Sequence, residues 1–177
     1  MRIEAASKGE KQGHVVLLGK HPEDFANHIE GSGVLDQIRN RLEKEKSMTV
    51  INDGNRTVII VALSEKSGEK PAGSYQQLEK SRNAAHSAYS VIRENEMDTL
   101  RIENCGVSAN EALAFCEGLY LSDYSFRKYF TKEKEEFSIS EVEFGGEEPS
   151  PEDLEQMVNV IEGVFLARDL VNEPLSY

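Results

Sequence analysis

The sequence predicts an α/β fold: a mixed sheet flanked by helices, followed by one long C-terminal helix. Three observations carry that reading. Short apolar runs alternate along the chain with segments whose apolar residues recur at helical spacing. Two of the runs are joined by Asn52-Asp53-Gly54-Asn55, and Asp-Gly between such runs marks a hairpin. Ser150-Pro151-Glu152-Asp153 is the clearest helix start in the chain. Ser caps, Pro is tolerated where its missing N–H has no partner, and the acids face the positive end of the helix dipole.

Taken in order, residues 3–6 suit a short edge strand, and His14-Val15-Val16-Leu17-Leu18, ended by Gly19, a buried one. Gly31-Ser32-Gly33 breaks the chain before residues 34–45, where Leu35, Ile38 and Leu42 share one helical face. Residues 48–51 and 57–63 make the hairpin. Val58 to Leu63 shows almost no alternation, so both its faces are expected to be buried, as in a central strand under helices. A loop with Gly68, Pro71 and Gly73 leads into a long helix over residues 75–95, and a short strand follows at 99–102.

Ser108-Ala109-Asn110-Glu111 has the spacing of a capping box, which predicts a helix to Leu121 that buries Leu113, Ala114, Phe115 and Leu119. Residues 137–144 alternate apolar and polar, predicting a strand with one wet face. The last helix is expected to end at Asn172, since Pro174 disfavours helical geometry at Glu173. Its stripe is Leu154, Met157, Val158, Ile161, Phe165 and Leu166. Burying a large apolar side chain is worth roughly 1.5–3 kcal/mol, so this stripe is expected to fold back on the domain or to drive self-association.

At 177 residues the chain is expected to hold one α/β domain over 1–149 and a linking helix over 150–177. The net charge is −12, unevenly spread: residues 1–88 carry 13 basic and 12 acidic groups, residues 89–177 carry 7 and 20. An acidic half repels phosphate backbones, which argues against nucleic acid as a partner. No apolar run approaches the roughly 20 residues that cross a bilayer, which argues against a membrane. The opening MRIEAASKGEKQG has no apolar signal core. Cys105 and Cys116 form no CxxC pair, so a reducing, cytoplasmic compartment is expected.

Candidate chemistry is sparse. His14, His21 and His28 recur every seven residues, but Gly19 and Pro22 interrupt any helix that would gather them, so they read as surface or loop histidines rather than metal ligands, with His86 apart. Gly31-Ser32-Gly33 lacks the third glycine of GxGxxG and the GK[ST] of a P-loop. Cys116 falls on the apolar face of a predicted helix, as a small core residue does. Cys105 beside Gly106 reads as loop-exposed, with no base to activate it. There is no HExxH and no GxSxG. Arg127-Lys128-Tyr129-Phe130-Thr131-Lys132-Glu133-Lys134 mixes bases and aromatics but reads as a solvated helix end or loop. No catalytic, cofactor-binding or metal-ligating residue is assigned.

Two stretches are more specific. Glu117-Gly118, Leu121, Tyr124, Phe126 and Tyr129 stand in the spacing Glu-Gly-x-x-Leu-x-x-Tyr-x-Phe-x-x-Tyr. Further on comes Ala167-Arg168-Asp169-Leu170-Val171-Asn172-Glu173-Pro174. Together they resemble the leucyl aminopeptidase family (cytosol aminopeptidases). The resemblance implies an N-terminal domain similar to macro domains, a linker helix, and a C-terminal catalytic domain holding two divalent metal ions, Zn or Mn. In that family the metal ligands and an Asn-Thr-Asp-Ala-Glu-Gly-Arg segment belong to the second domain, and nothing here matches them. The chain stops three residues after Pro174, so it is expected to be an N-terminal domain plus linker helix, non-catalytic by itself. The implied parent is a hexamer that removes N-terminal amino acids from peptides, this domain contributing to assembly and positioning. The alternative is a stand-alone macro-like module that binds a nucleotide or ADP-ribose.

Overall fold

Chain segments without polar alternation form the interior of a single six-stranded sheet. The strands are β1 (Arg2–Ala5), β2 (His14–Gly19), β3 (Met48–Asp53), β4 (Arg56–Ala62), β5 (Thr99–Asn104) and β6 (Glu141–Gly145), in the order β1-β6-β5-β2-β4-β3. The helices are α1 (Ser32–Glu43), α2 (Ser74–Glu94), α3 (Ala109–Ser122) and α4 (Pro151–Asn172), with one 3-10 turn at Pro22–Phe25. These come from a computed structural model that describes residues 2–5, 13–29, 32–43, 47–53, 56–63, 74–126, 128–129, 137–146 and 149–174. Gly54 and Asn55 of the expected hairpin turn, and Gly31, lie outside the described residues.

All neighbouring strands run parallel except β3, which pairs antiparallel with β4 from Met48↔Val61 to Asp53↔Arg56. The sheet is therefore mixed, as expected. Parallel strands need covering on both faces, and β4 shows why its sequence does not alternate. Ile59 and Val61 enter the larger core, with Val16, Leu18 and Ile102 and the helices α2, α3 and α4. Val58 and Ile60 enter a smaller core on the other face, with Leu17, Phe25 and Ile38 of α1. On that second face the register sets Arg101 beside Val15 and Glu103 beside Leu17, so the α1-covered core gives way to charge. Arg101 Nε donates to Glu103 Oε1 at 2.5 Å, and Glu103 lies over Gly145, where a Cβ would stand 2.3 Å from its carboxylate.

Two expectations need correction. The strand foreseen at 137–144 is shorter: only Glu141–Gly145 joins the ladder. Asp123, just past α3, captures the preceding residues instead, accepting from Ser138 Oγ at 2.8 Å and from the Ile139 N–H at 3.2 Å. Phe137 and Ile139 still pack on the larger core, so the apolar pattern reported burial without pairing. The α4 stripe does fold back, but only in part. Leu154, Met157 and Ile161 are buried and Val158 and Phe165 half-buried, whereas Leu166 is 61% exposed.

α2 and α3 pack closely because Gly118 leaves room: a Cβ there would sit 2.7 Å from both the Cα and the carbonyl oxygen of Arg82. Backbone cannot yield as a flexible side chain does. Gly118→Ala is expected to lower the unfolding free energy by about 1–3 kcal/mol, seen as a lower urea midpoint at unchanged slope. The reverse holds at Thr49, buried at 3% exposure under α1, whose Oγ1 has no hydrogen-bond partner among the described residues. Thr49→Val removes an orphaned hydroxyl at nearly constant shape and is expected to be neutral or up to about 1 kcal/mol stabilising in the same assay.

Candidate functional site

In open α/β sheets, ligands settle at the carboxyl ends of the parallel strands. Among the described residues, the turns after β2 and β5 are fastened by the chain's own side chains. After β2, the Lys20 and His21 N–H groups both donate to Asp24 Oδ2 at 2.8 Å. After β5, the Gly106 and Val107 N–H groups donate to Asn104 Oδ1 at 3.0 Å. Gly106 has φ +140°, and a Cβ there would also lie 3.4 Å from the Asp24 carboxyl. At the start of α3 the foreseen capping box is complete: Glu111 N–H donates to Ser108 Oγ, and Glu111 Oε2 accepts from the Ser108 N–H and hydroxyl. Lys20 Nζ reaches the same Glu111 oxygen at 2.9 Å. Among the described residues, the N–H groups of the turns after β2 and β5 and of the α3 cap are thus bonded to Asp24, Asn104 and Glu111.

The sequence-flagged histidines do not converge. His14 is not a loop residue but part of β2, half-buried, its Nδ1 accepting from the Thr57 N–H at 3.2 Å. His21 caps the 3-10 turn and His28 lies in the turn after it. His86 is exposed on α2, its Nδ1 3.1 Å from Ser122 Oγ, a pairing the sequence reading missed. That Ser hydroxyl donates to the Gly118 carbonyl at 2.7 Å, so its hydrogen is not offered to the imidazole as in a nucleophile–base pair. Among the described residues, no group of three or more His, Cys, Asp or Glu side chains is placed to hold a metal ion.

Neither thiol has the setting of a nucleophile. Burial of Cys116 pushes its thiol up to about 12. Cys105 is half-buried rather than loop-exposed, packed against the smaller core just past β5. Gly33 stands exposed in the first turn of α1, where a Cβ would meet nothing within 4 Å. A groove of about 330 Å³ runs between α2, α3 and α4, lined by Leu78, Leu113, Met157, Val160 and Ile161. Its one guanidinium, Arg82, is committed to Glu117 at 2.8 Å and Glu79 at 3.3 Å.

What the structure does assemble is the meeting of the two motif stretches at the far end of α4. Phe165 packs against the rings of Tyr120 and Tyr124, with centroids 5.5 and 4.9 Å away. Tyr124 Oη donates to Asp169 Oδ1 at 2.6 Å, and the Arg168 guanidinium lies 5.3 Å from the Tyr124 ring centre. Lys128 and Tyr129 both bond Glu173. Two members of the basic-aromatic run therefore engage a helix end rather than solvent alone; Arg127 and residues 130–134 lie outside the described residues. Desolvation and the Asp169 bond raise the Tyr124 hydroxyl, while Lys128, then Tyr129, hold the Glu173 carboxyl below its usual range. Past this contact α4 shows solvent a second apolar face: Val160, Leu166, Leu170 and Val171 are 61–84% exposed. Among the described residues no helix is long and apolar enough to cross a membrane.

No family model matches the chain. A protein named "Probable cytosol aminopeptidase" from Treponema denticola is 26% identical over 185 residues, covering 99% of this chain and 36% of that protein. One of the same name from Clostridium tetani is 48% identical over 65 residues, 34% of this chain and 14% of that protein. The chain thus spans about a third or less of the length of these relatives. Among solved structures, a tomato leucine aminopeptidase mutant superposes with TM-score 0.65 at 20% identity, covering 97% of this chain and 38% of that one. A macrodomain from Oceanobacillus iheyensis superposes with TM-score 0.57 at 9% identity, covering 92% of each.

Burial raises the Glu111 carboxyl, but the bonds from Ser108 and Lys20 outweigh it, and its pKa lies below the ordinary 4.5. A lowered carboxylate adds stability that is fully present above the unfolded value and lost as pH falls through the folded one. Glu111→Gln is expected to lower stability by about 1–2 kcal/mol at pH 7. That gap should shrink below pH 4.5, as followed by urea unfolding at a series of pH values.

Proposed function

This chain is related to the leucyl aminopeptidase family, and we propose that it serves there as the non-catalytic N-terminal domain of a metallopeptidase that removes N-terminal amino acids from peptides. In this reading the two divalent metal ions, zinc or manganese, sit in a catalytic domain outside this chain. Such ions would supply an activated water and polarisation of the scissile carbonyl. The parent is a cytoplasmic homo-hexamer, and this domain contributes assembly and positioning.

The observation that carries the reading is the double-faced α4. One face is buried on the α/β domain through Leu154, Met157 and Ile161, while Val160, Leu166, Leu170 and Val171 are left exposed for a neighbour. A helix apolar on two sides belongs between two bodies. The nucleotide or ADP-ribose alternative draws only on the macrodomain-like architecture. Against it stand strand ends whose N–H groups already bind Asp24, Asn104 and Glu111.

Two measurements test the proposal. This chain alone, supplied with manganese or zinc, is expected to give no turnover of a leucyl chromogenic substrate; reproducible hydrolysis overturns the non-catalytic assignment. In the full-length protein, Leu170→Glu is expected to lower peptidase activity about tenfold or more, the scale of losing one buried leucine at a docking face. The thermal midpoint of the isolated chain should stay unchanged, because Leu170 is 67% exposed there. Full activity in that variant removes α4 from the interface.

A further inference from the structure

The two ends of α4 obey opposite electrostatic rules. At its start, Ser150 caps, and Glu152 and Asp153 face the positive dipole end, where acids are favoured. At its finish there is no basic residue in the last turn; Asp169 lies there and Glu173 is the C-cap itself. Both acids face the negative end, where an isolated helix is better served by cations. Their compensation comes from outside the helix. Tyr124 donates to Asp169, and Lys128 and Tyr129 bind Glu173. These partners lie in the stretch just past α3, some 45 residues earlier in sequence.

Apolar anchoring stops short of that region. Ile161 is the last buried residue of α4 and Phe165 the last packed on the core, and Leu166, Leu170 and Val171 are exposed. We propose that the stretch after α3 is a polar bracket that fixes the direction in which the final turns of α4 leave the domain, through Tyr124 on Asp169 and Lys128 with Tyr129 on Glu173. Exposed ion pairs and hydrogen bonds add little to global stability, so the bracket sets an angle rather than holding the fold together. That direction also sets where anything after Pro174 is carried. Only this consequence, and not the bracket itself, rests on the proposed function.

The test uses this chain, with spin labels at Val171→Cys and Asn83→Cys in a Cys105→Ser background, Cys116 being buried. In Tyr124→Phe/Glu173→Ala, which keeps the ring against Phe165, the distance distribution is expected to broaden about twofold as the helix end is released to local motion. The thermal midpoint is expected to fall by less than about 4 °C. Asp169→Asn, whose amide oxygen still accepts from Tyr124, is expected to keep the native width. An unchanged width in the double variant overturns the bracket, as does a midpoint loss well beyond that range, which would make the contacts part of the fold's stability. No peptidase assay enters, so failure here leaves the proposed function standing, and failure of that function leaves the bracket standing.

Discussion

The packing of Phe165 against Tyr120 and Tyr124 is the contact on which the shape of the rest depends. It closes the apolar seam that starts at Leu154 and runs through Met157 and Ile161. It also fixes which side of α4 faces the sheet. Once that side is settled, helical geometry places Val160, Leu170 and Val171 toward solvent. The same ring pair brings the Tyr124 hydroxyl to Asp169, so apolar packing and polar bonding meet in one side chain.

Four carboxylates of this chain fasten its own backbone. Asp24 takes two backbone N–H groups after β2, Asp123 takes the Ile139 N–H, and Asp153 and Glu111 take the N–H groups of their own N-caps. Each satisfies donors that a turn or a helix start would otherwise leave open. Part of the acidic content therefore serves to fasten turns and helix starts. Composition cannot show which part, because a carboxylate bound to backbone and one facing water count alike.

Local signals were the legible ones. The Ser108–Glu111 capping box, the Ser150 cap, the extent of α4 and the β3–β4 pairing follow from side chains acting within a few residues of themselves. The unbroken run of β4 declared its two buried faces. What could not be read depended on distant partners. His14 looked like one of three spaced histidines until β4 supplied the Thr57 N–H 43 residues away. The first residues of the strand expected at 137–144 stay out of the ladder, where Asp123 takes the Ile139 N–H. The Tyr124–Asp169 and Lys128–Glu173 contacts left only one trace in sequence, two acids at the wrong end of a helix, and that trace gains meaning once their partners are located.

A sheet of this architecture offers two places for function, its strand ends and its outermost helix, and the two compete for different sequences. A phosphate site needs free N–H groups and an absence of nearby anions. Asp24 and Glu111 remove both conditions at once, and Lys20, a cation placed to attract an anion, is instead bonded to Glu111. In the turns after β2 and β5, then, the backbone donors are already engaged within the chain. Exposed apolar surface is concentrated on α4, and so are the contacts that aim it.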